Sequence, residues 1–242
     1  MPRGGPDWGA GAQRSIAGVT ADVGEAAARL GSPVTYSRTG TVIWMTDFEE
    51  GLTPWQQVVI GTGGDVQLAS DVSHKGRFSM RLIGGSTSAR TAEVYKGVWP
   101  QVNNKLGMEV IFSVPAALES FDLNIFLEGP GGSLEWSARA APDALDLLYR
   151  DSSGLFTSLG AHNWKAGNKY NFNYMKLVVD LESSKYVRLL VNNLSFSLAG
   201  IDPYAYAATA ADDLFFNARA TSAAGRNDEA IVDSVIFTSN EP

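Results

Sequence analysis

The chain has 242 residues, with 19 Lys and Arg against 26 Asp and Glu, for a formal charge of −7. That length suits one large domain with an appendage; 45% hydrophobic content can fill a core, and 19% charged content is too low for a disordered chain. With no cysteine and only His74 and His162, the sequence excludes disulfides, thiol catalysis and thiolate metal sites, and leaves little for a histidine zinc site. The acidic balance and the lack of a Lys/Arg cluster set nucleic acid aside as a partner. No run approaches the roughly 20 apolar residues of a membrane-spanning helix, so no membrane is expected.

Residues 1–41 read as an extended N-terminal arm. Eight of the 25 glycines fall in residues 1–40, where Trp8, Ile16 and Leu30 are among the few large apolar groups. One short helix is predicted over 21–30: Thr20 caps it, Val23, Ala27 and Leu30 share a face, Gly31 stops it and Pro33 follows. Such a helix cannot form a core alone. The arm is therefore expected to dock on another surface, with Trp8, Ile16 and Leu30 as anchors and Arg3 and Arg14 meeting acidic groups of a neighbouring copy. The first twenty residues carry no apolar h-region, so the expectation is a protein made in a host cytoplasm without a signal peptide.

From Thr41 the text is that of strands. They are predicted at 41–46, 56–60, 65–69, 77–83 and 91–98, then over 106–114, where Leu106, Met108, Val110, Phe112 and Val114 alternate with other residues. Over 121–128, Phe121, Leu123, Ile125 and Leu127 alternate with Asp122, Asn124, Phe126 and Glu128. Strands follow at 133–140 and 145–150. Tyr170, Phe172 and Tyr174 then alternate, and Met175, Leu177, Val179 and Leu181 continue one residue out of phase, which predicts a bulge near Tyr174–Met175. The last strands are predicted at 186–191, 194–199, 214–219 and 230–238, with turn residues between them. The fold class is all-β: a two-sheet antiparallel jelly-roll-like sandwich over 42–242, preceded by the arm.

Three segments resemble the jelly-roll sandwiches of carbohydrate-binding modules and concanavalin/laminin-G-like domains. Asp47 to Trp55 (DFEEGLTPW) is similar to their opening strand, Ser73 to Leu82 (SHKGRFSMRL) to the strand that follows, and Ile231 to Phe237 (IVDSVIF) to their close. Trp164 to Tyr170, leading to Lys176–Asp180, resembles a laminin-G run. The resemblance implies a structural calcium joining the opening and closing strands. Here Glu49 and Asp233 match its acids, and backbone carbonyls near Lys75 are the fillers, because calcium takes several oxygens at flexible geometry.

A sugar site needs aromatic platforms and planar polar partners. Trp164 and Asn163 in a loop, with Trp99, are the first candidates. Trp136 and Tyr149 follow, with Asn124, Glu135 and Arg139 as polar partners; Trp136 shares its phase with the core-facing Leu134 and Ala138. Glycosidic hydrolysis needs two carboxyls at a set separation. Glu119 and Asp122, three apart, face opposite sides of a strand, and Phe126 lies between Asp122 and Glu128. No catalytic residue is assigned and no enzyme is expected.

An arm joined to a jelly roll resembles phage proteins that decorate a capsid or build a tail. The leading expectation is a structural virion protein, oligomeric, partnered with copies of itself and with a major capsid or tail protein. The alternative is a carbohydrate-binding module or adhesin-like domain with a glycan as partner.

Overall fold

The computed structural model describes residues 39–87, 90–98, 104–208 and 213–242. The helix expected over 21–30, the arm residues Arg3, Trp8, Arg14, Ile16 and Leu30, and Trp99 lie outside them.

The described residues form sixteen strands and no helix. In chain order these are β1 (Thr41–Thr46), β2 (Gln56–Ile60), β3 (Asp65–Ala69), β4 (Ser79–Ile83), β5 (Thr91–Val98), β6 (Lys105–Ser113), β7 (Ser120–Glu128) and β8 (Ser133–Ala141). They continue as β9 (Asp146–Arg150), β10 (Phe156–Ala161), β11 (Asn173–Asp180), β12 (Lys185–Val191), β13 (Leu194–Ser197), β14 (Tyr204–Tyr206), β15 (Asp213–Thr221) and β16 (Glu229–Ser239).

Two antiparallel sheets stack as a sandwich. Sheet A runs β13-β12-β11-β6-β16-β4-β3, with β1 also on β16. Sheet B runs β10-β9-β8-β7-β15-β5-β2, with β14 on β8. The period-two pattern explains the core: Leu106, Met108, Val110 and Phe112 of β6 meet Phe121, Leu123 and Ile125 of β7 in one buried cluster. Aromatic pairs bridge the sheets, with ring centroids 4.5 Å apart for Phe112–Phe121 and 3.9 Å for Phe216–Phe237.

The bulge expected at Tyr174–Met175 is not there. Strand β11 pairs with β6 in continuous register from Asn173 to Asp180, and its bulge lies at Val178/Val179 against β12. The phase shift has another cause: both faces of β11 are buried. Met175, Leu177 and Val179 join the main core, while Phe172 and Tyr174 join a second cluster with Val72, Ile111, Ile231 and Ile236 on the outer face of sheet A. Two strands escaped the sequence reading, β10 and the three-residue β14. Among the described residues no helix is long and apolar enough to cross a membrane.

Candidate functional site

On sheet B, alternate residues turn away from the core and form the outer face. Their order across the sheet follows from the register. One row runs Tyr204 (β14), Glu135 (β8), Phe126 (β7), Phe215 (β15) and Gly97 (β5), each directly opposite the next. A neighbouring row carries Tyr95, Asn217, Asn124 and Ser137, and the next carries Glu93, Arg219, Asp122 and Arg139. At about 4.8 Å per strand, the first row crosses roughly 19 Å of sheet.

The aromatics on and beside this row form two groups, with Glu135 between them. Phe126 stacks on Phe215 at 5.0 Å, and Tyr95 meets Phe215 edge-on at 5.7 Å. At the other end Tyr204 stacks on Tyr206 at 6.0 Å. All five rings are half-buried. Next to Tyr95 and Phe215 an open groove of about 450 Å³ is lined also by Gln56, Val58, Gly97 and Asp213. A Cβ built on Gly97 would meet nothing within 4 Å, so the missing side chain leaves open space on the strip.

Beside the strip lie two polar rows, in which Asp122, Asn124, Ser137 and Asn217 are fully buried. Asp122 is fully buried and accepts two hydrogen bonds each from Arg139 and Arg219, at 2.6–2.9 Å. Burial pushes its carboxyl up, but the Arg219 and Arg139 guanidiniums overturn that and hold it below the ordinary value. The Asn124 amide donates to the Asn217 carbonyl oxygen, and Ser137 Oγ to Asn124, each at 2.5 Å. Arg150 donates to Glu135 at 2.5 Å and lies 4.3 Å from the Tyr204 ring centre. The Tyr95 hydroxyl donates to Glu93 at 2.6 Å and the Tyr206 hydroxyl to Glu128 at 3.1 Å. Burial and the Glu93 carboxylate push the Tyr95 phenol up.

Of the residues expected at a sugar site, Asn124, Glu135 and Arg139 lie on this face. Of the aromatics expected there, Trp136, Tyr149 and Trp164 lie on the core side, and Trp99 is outside the described residues. Trp164 is a correction: it is 4% exposed, packs in the main core with its ring tilted against Phe112, and donates its Nε1–H to the Asp146 carbonyl. A loop position next to polar residues does not expose a ring this large when the loop folds over a sandwich end. Asn163 beside it is exposed, so the two side chains do not form one site. Trp136 is fully buried in the core. Glu119 pairs with Arg90 at 2.6 Å, apart from Asp122.

The opening and closing strands do bring the candidate calcium residues together. Asp233 Oδ1 accepts from the His74 N–H at 2.5 Å, and Glu49 Oε1 from the Arg77 and Phe78 N–H groups at 2.5 and 3.0 Å. The loop holding Lys75 is thus pinned by both acids. Asp233 is fully buried, and its Oδ2 has no hydrogen-bond partner. Burial, followed by the Asp47 and Glu49 carboxylates, pushes its carboxyl up to about 6 against the N–H groups that lower it. An orphaned carboxylate oxygen among acids fits a calcium ligand in kind. Among the described residues, however, no group of three His, Asp or Glu is arranged as a complete metal cage, so backbone carbonyls would have to supply the rest.

No family model matches the chain, and no curated protein matches it by sequence. Solved structures match it by shape. A cellulose-induced protein, Cip1, shares 16% identity at a TM-score of 0.58, over 81% of this chain and 97% of that one. A conserved carbohydrate esterase from the Shiga toxin-encoding bacteriophage phi24B shares 15% at 0.54, over 84% and 100%. A Bacillus subtilis protein of unknown function with a galectin-like fold shares 11% at 0.50, over 83% and 97%. These likenesses establish a jelly-roll, galectin-like sandwich and nothing beyond the fold.

Proposed function

We propose that this protein is a carbohydrate-binding module whose ligand lies on the outer face of sheet B. One observation carries the reading: the transverse strip of Tyr204, Phe126, Phe215 and Tyr95 beside fixed polar rows, ending in an open groove at Gly97. Sugars present apolar faces and a rim of hydroxyls, and this surface presents half-buried rings with the accepting carboxylates of Glu128 and Asp213 beside them. That a carbohydrate esterase and a galectin-like protein share the sandwich supports the same reading. Of the carboxyls on the face, Glu93, Asp122, Glu128 and Glu135 each meet a guanidinium or a phenol, which suits a rigid recognition surface better than a free acid–base pair.

Gly97 supplies the test. Gly97→Leu adds a side chain into open space on a strand, so it fills the groove without a clash. On a panel of soluble polysaccharides and glycans, the wild type binds, while Gly97→Leu and Phe215→Ala each lose about tenfold or more in affinity with little change in melting. A folded wild type that binds nothing on the panel rejects the proposal.

A virion setting is the second reading. It is favoured by one neighbour, which comes from a bacteriophage. A glycan-binding face on a tail or capsid protein would serve as an adhesin, so the two readings are compatible. Capture of the full-length protein onto phage particles, with its mass in solution, tests it; a monomer that joins no particle removes it. Calcium enters the proposal as a structural ion. Glu49, Asp233 and the backbone at Lys75 would hold it, and it would supply positive charge between the opening and closing acids.

A further inference from the structure

We infer that the ligand of the sheet B face is an uncharged glycan chain, and that uronate-, sialate- and sulfate-bearing chains are disfavoured. This rests on the glycan-binding reading and adds its chemical class.

The charge on the face is unequal. Among the described residues around the strip, five carboxylates, Glu93, Asp122, Glu128, Glu135 and Asp213, stand against three guanidiniums, Arg139, Arg150 and Arg219. An anionic sugar needs a cation to meet it, and all three guanidiniums are already committed. Arg139 and Arg219 clamp Asp122, which is fully buried, and Arg139 also lies 3.6 Å from the Phe156 ring centre. Arg150 holds Glu135, which is 5% exposed, donates to the Gly154 carbonyl at 3.0 Å, and covers Tyr204. Turning Arg150 toward a ligand would leave buried Glu135 without its guanidinium, and turning Arg139 or Arg219 would strip buried Asp122 of one of its two, each an unfavourable exchange.

The carboxylates that flank the middle of the strip, two residues along β15 and β7 from Phe215 and Phe126, have the opposite bias. Asp213 is exposed and lines the groove, and Glu128 sits directly across from it on β7. Ionised carboxylates only accept hydrogen bonds. The hydroxyls of a neutral sugar donate to them, whereas a ligand carboxylate or sulfate placed there meets like charge at short range in a partly dry groove.

The experiment compares neutral and acidic chains on matched backbones, by affinity electrophoresis and calorimetry with the full-length protein. Suitable pairs are hydroxyethyl- and carboxymethyl-cellulose, a neutral galactan and its sulfated form, and chitin oligosaccharides with hyaluronan. For any backbone that is bound, the neutral member binds about tenfold tighter or more at low salt. The gap shrinks at high salt, because screening weakens repulsion between exposed charges. The double variant Glu128→Gln with Asp213→Asn narrows the gap at low salt. Equal or tighter binding of the acidic members overturns the inference and leaves the glycan-binding reading standing. Binding of neither member of any pair by folded protein overturns the reading itself, and the inference with it.

Discussion

Burial and the neighbouring Asp47 and Glu49 carboxylates push the Asp233 carboxyl up to about 6. Its protonated form is favoured in the fold. The stabilisation it gives is complete below the ordinary carboxylate value and is lost as pH rises through about 6. In chelator the melting temperature therefore has a component that falls between pH 5 and pH 7, and Asp233→Asn removes that component. Calcium, if held by Glu49 and Asp233, favours the carboxylate and reverses the slope. Melts of both proteins in chelator and in calcium check all three statements; a wild type and variant with the same slope in chelator would sink the first two. Glu49 and Asp233 were legible as candidates through the resemblance of DFEEGLTPW and IVDSVIF to opening and closing strands. The orphaned Oδ2 of Asp233 was not, since it depends on which N–H groups of a loop some 160 residues away turn toward it.

At the scale of the element, β7 shows why half of the site could be read and half could not. Its alternation puts Leu123 and Ile125 in the core and so puts Asp122, Asn124, Phe126 and Glu128 on the other face. That much follows from period two. The partners of those residues come from the next strand β8 and from β5, β14 and β15, which are distant in sequence, and only the sheet order brings the latter into rows. The aromatic strip was missed for this reason: Tyr95, Phe126, Phe215 and Tyr204 sit one per strand, while Trp136 and Trp164, which draw attention in sequence, are core residues. Strand β14 was hidden in Ala-rich text, and three residues are too few for a pattern. The rows make a prediction of their own. Asp122 ties β7 to β8 through Arg139 and to β15 through Arg219. Asp122→Ala leaves two cations crowded over a dry cavity and should cost about 3 kcal/mol or more in urea unfolding. A loss under 1 kcal/mol would show that the two guanidiniums relax freely into water.

Across the whole molecule, the strip runs at right angles to the strands and uses nearly the full width of sheet B. The rows extend from β14 through β8, β7 and β15 to β5, and the groove continues to Gln56 and Val58 on edge strand β2. A ligand following this path lies across the sandwich and spans roughly 19 Å, or about four sugar rings. Binding should therefore depend on chain length. Each added ring gains contact with another strand until the strip is covered, and further rings add little. Phe215 and Gly97 lie at one end and Tyr204 at the other, so shortening the chain and truncating the rings should not act independently. For a tetramer, Tyr204→Ala and Phe215→Ala each weaken binding. For a dimer only one of them matters, because a dimer seats at one end. Affinities for the dimer to hexamer series, measured on wild type and both variants, test this. An affinity flat from the dimer upward would place the ligand in the groove alone, along β5 and β2, and would reassign Tyr204 and Phe126 to packing of the sheet face.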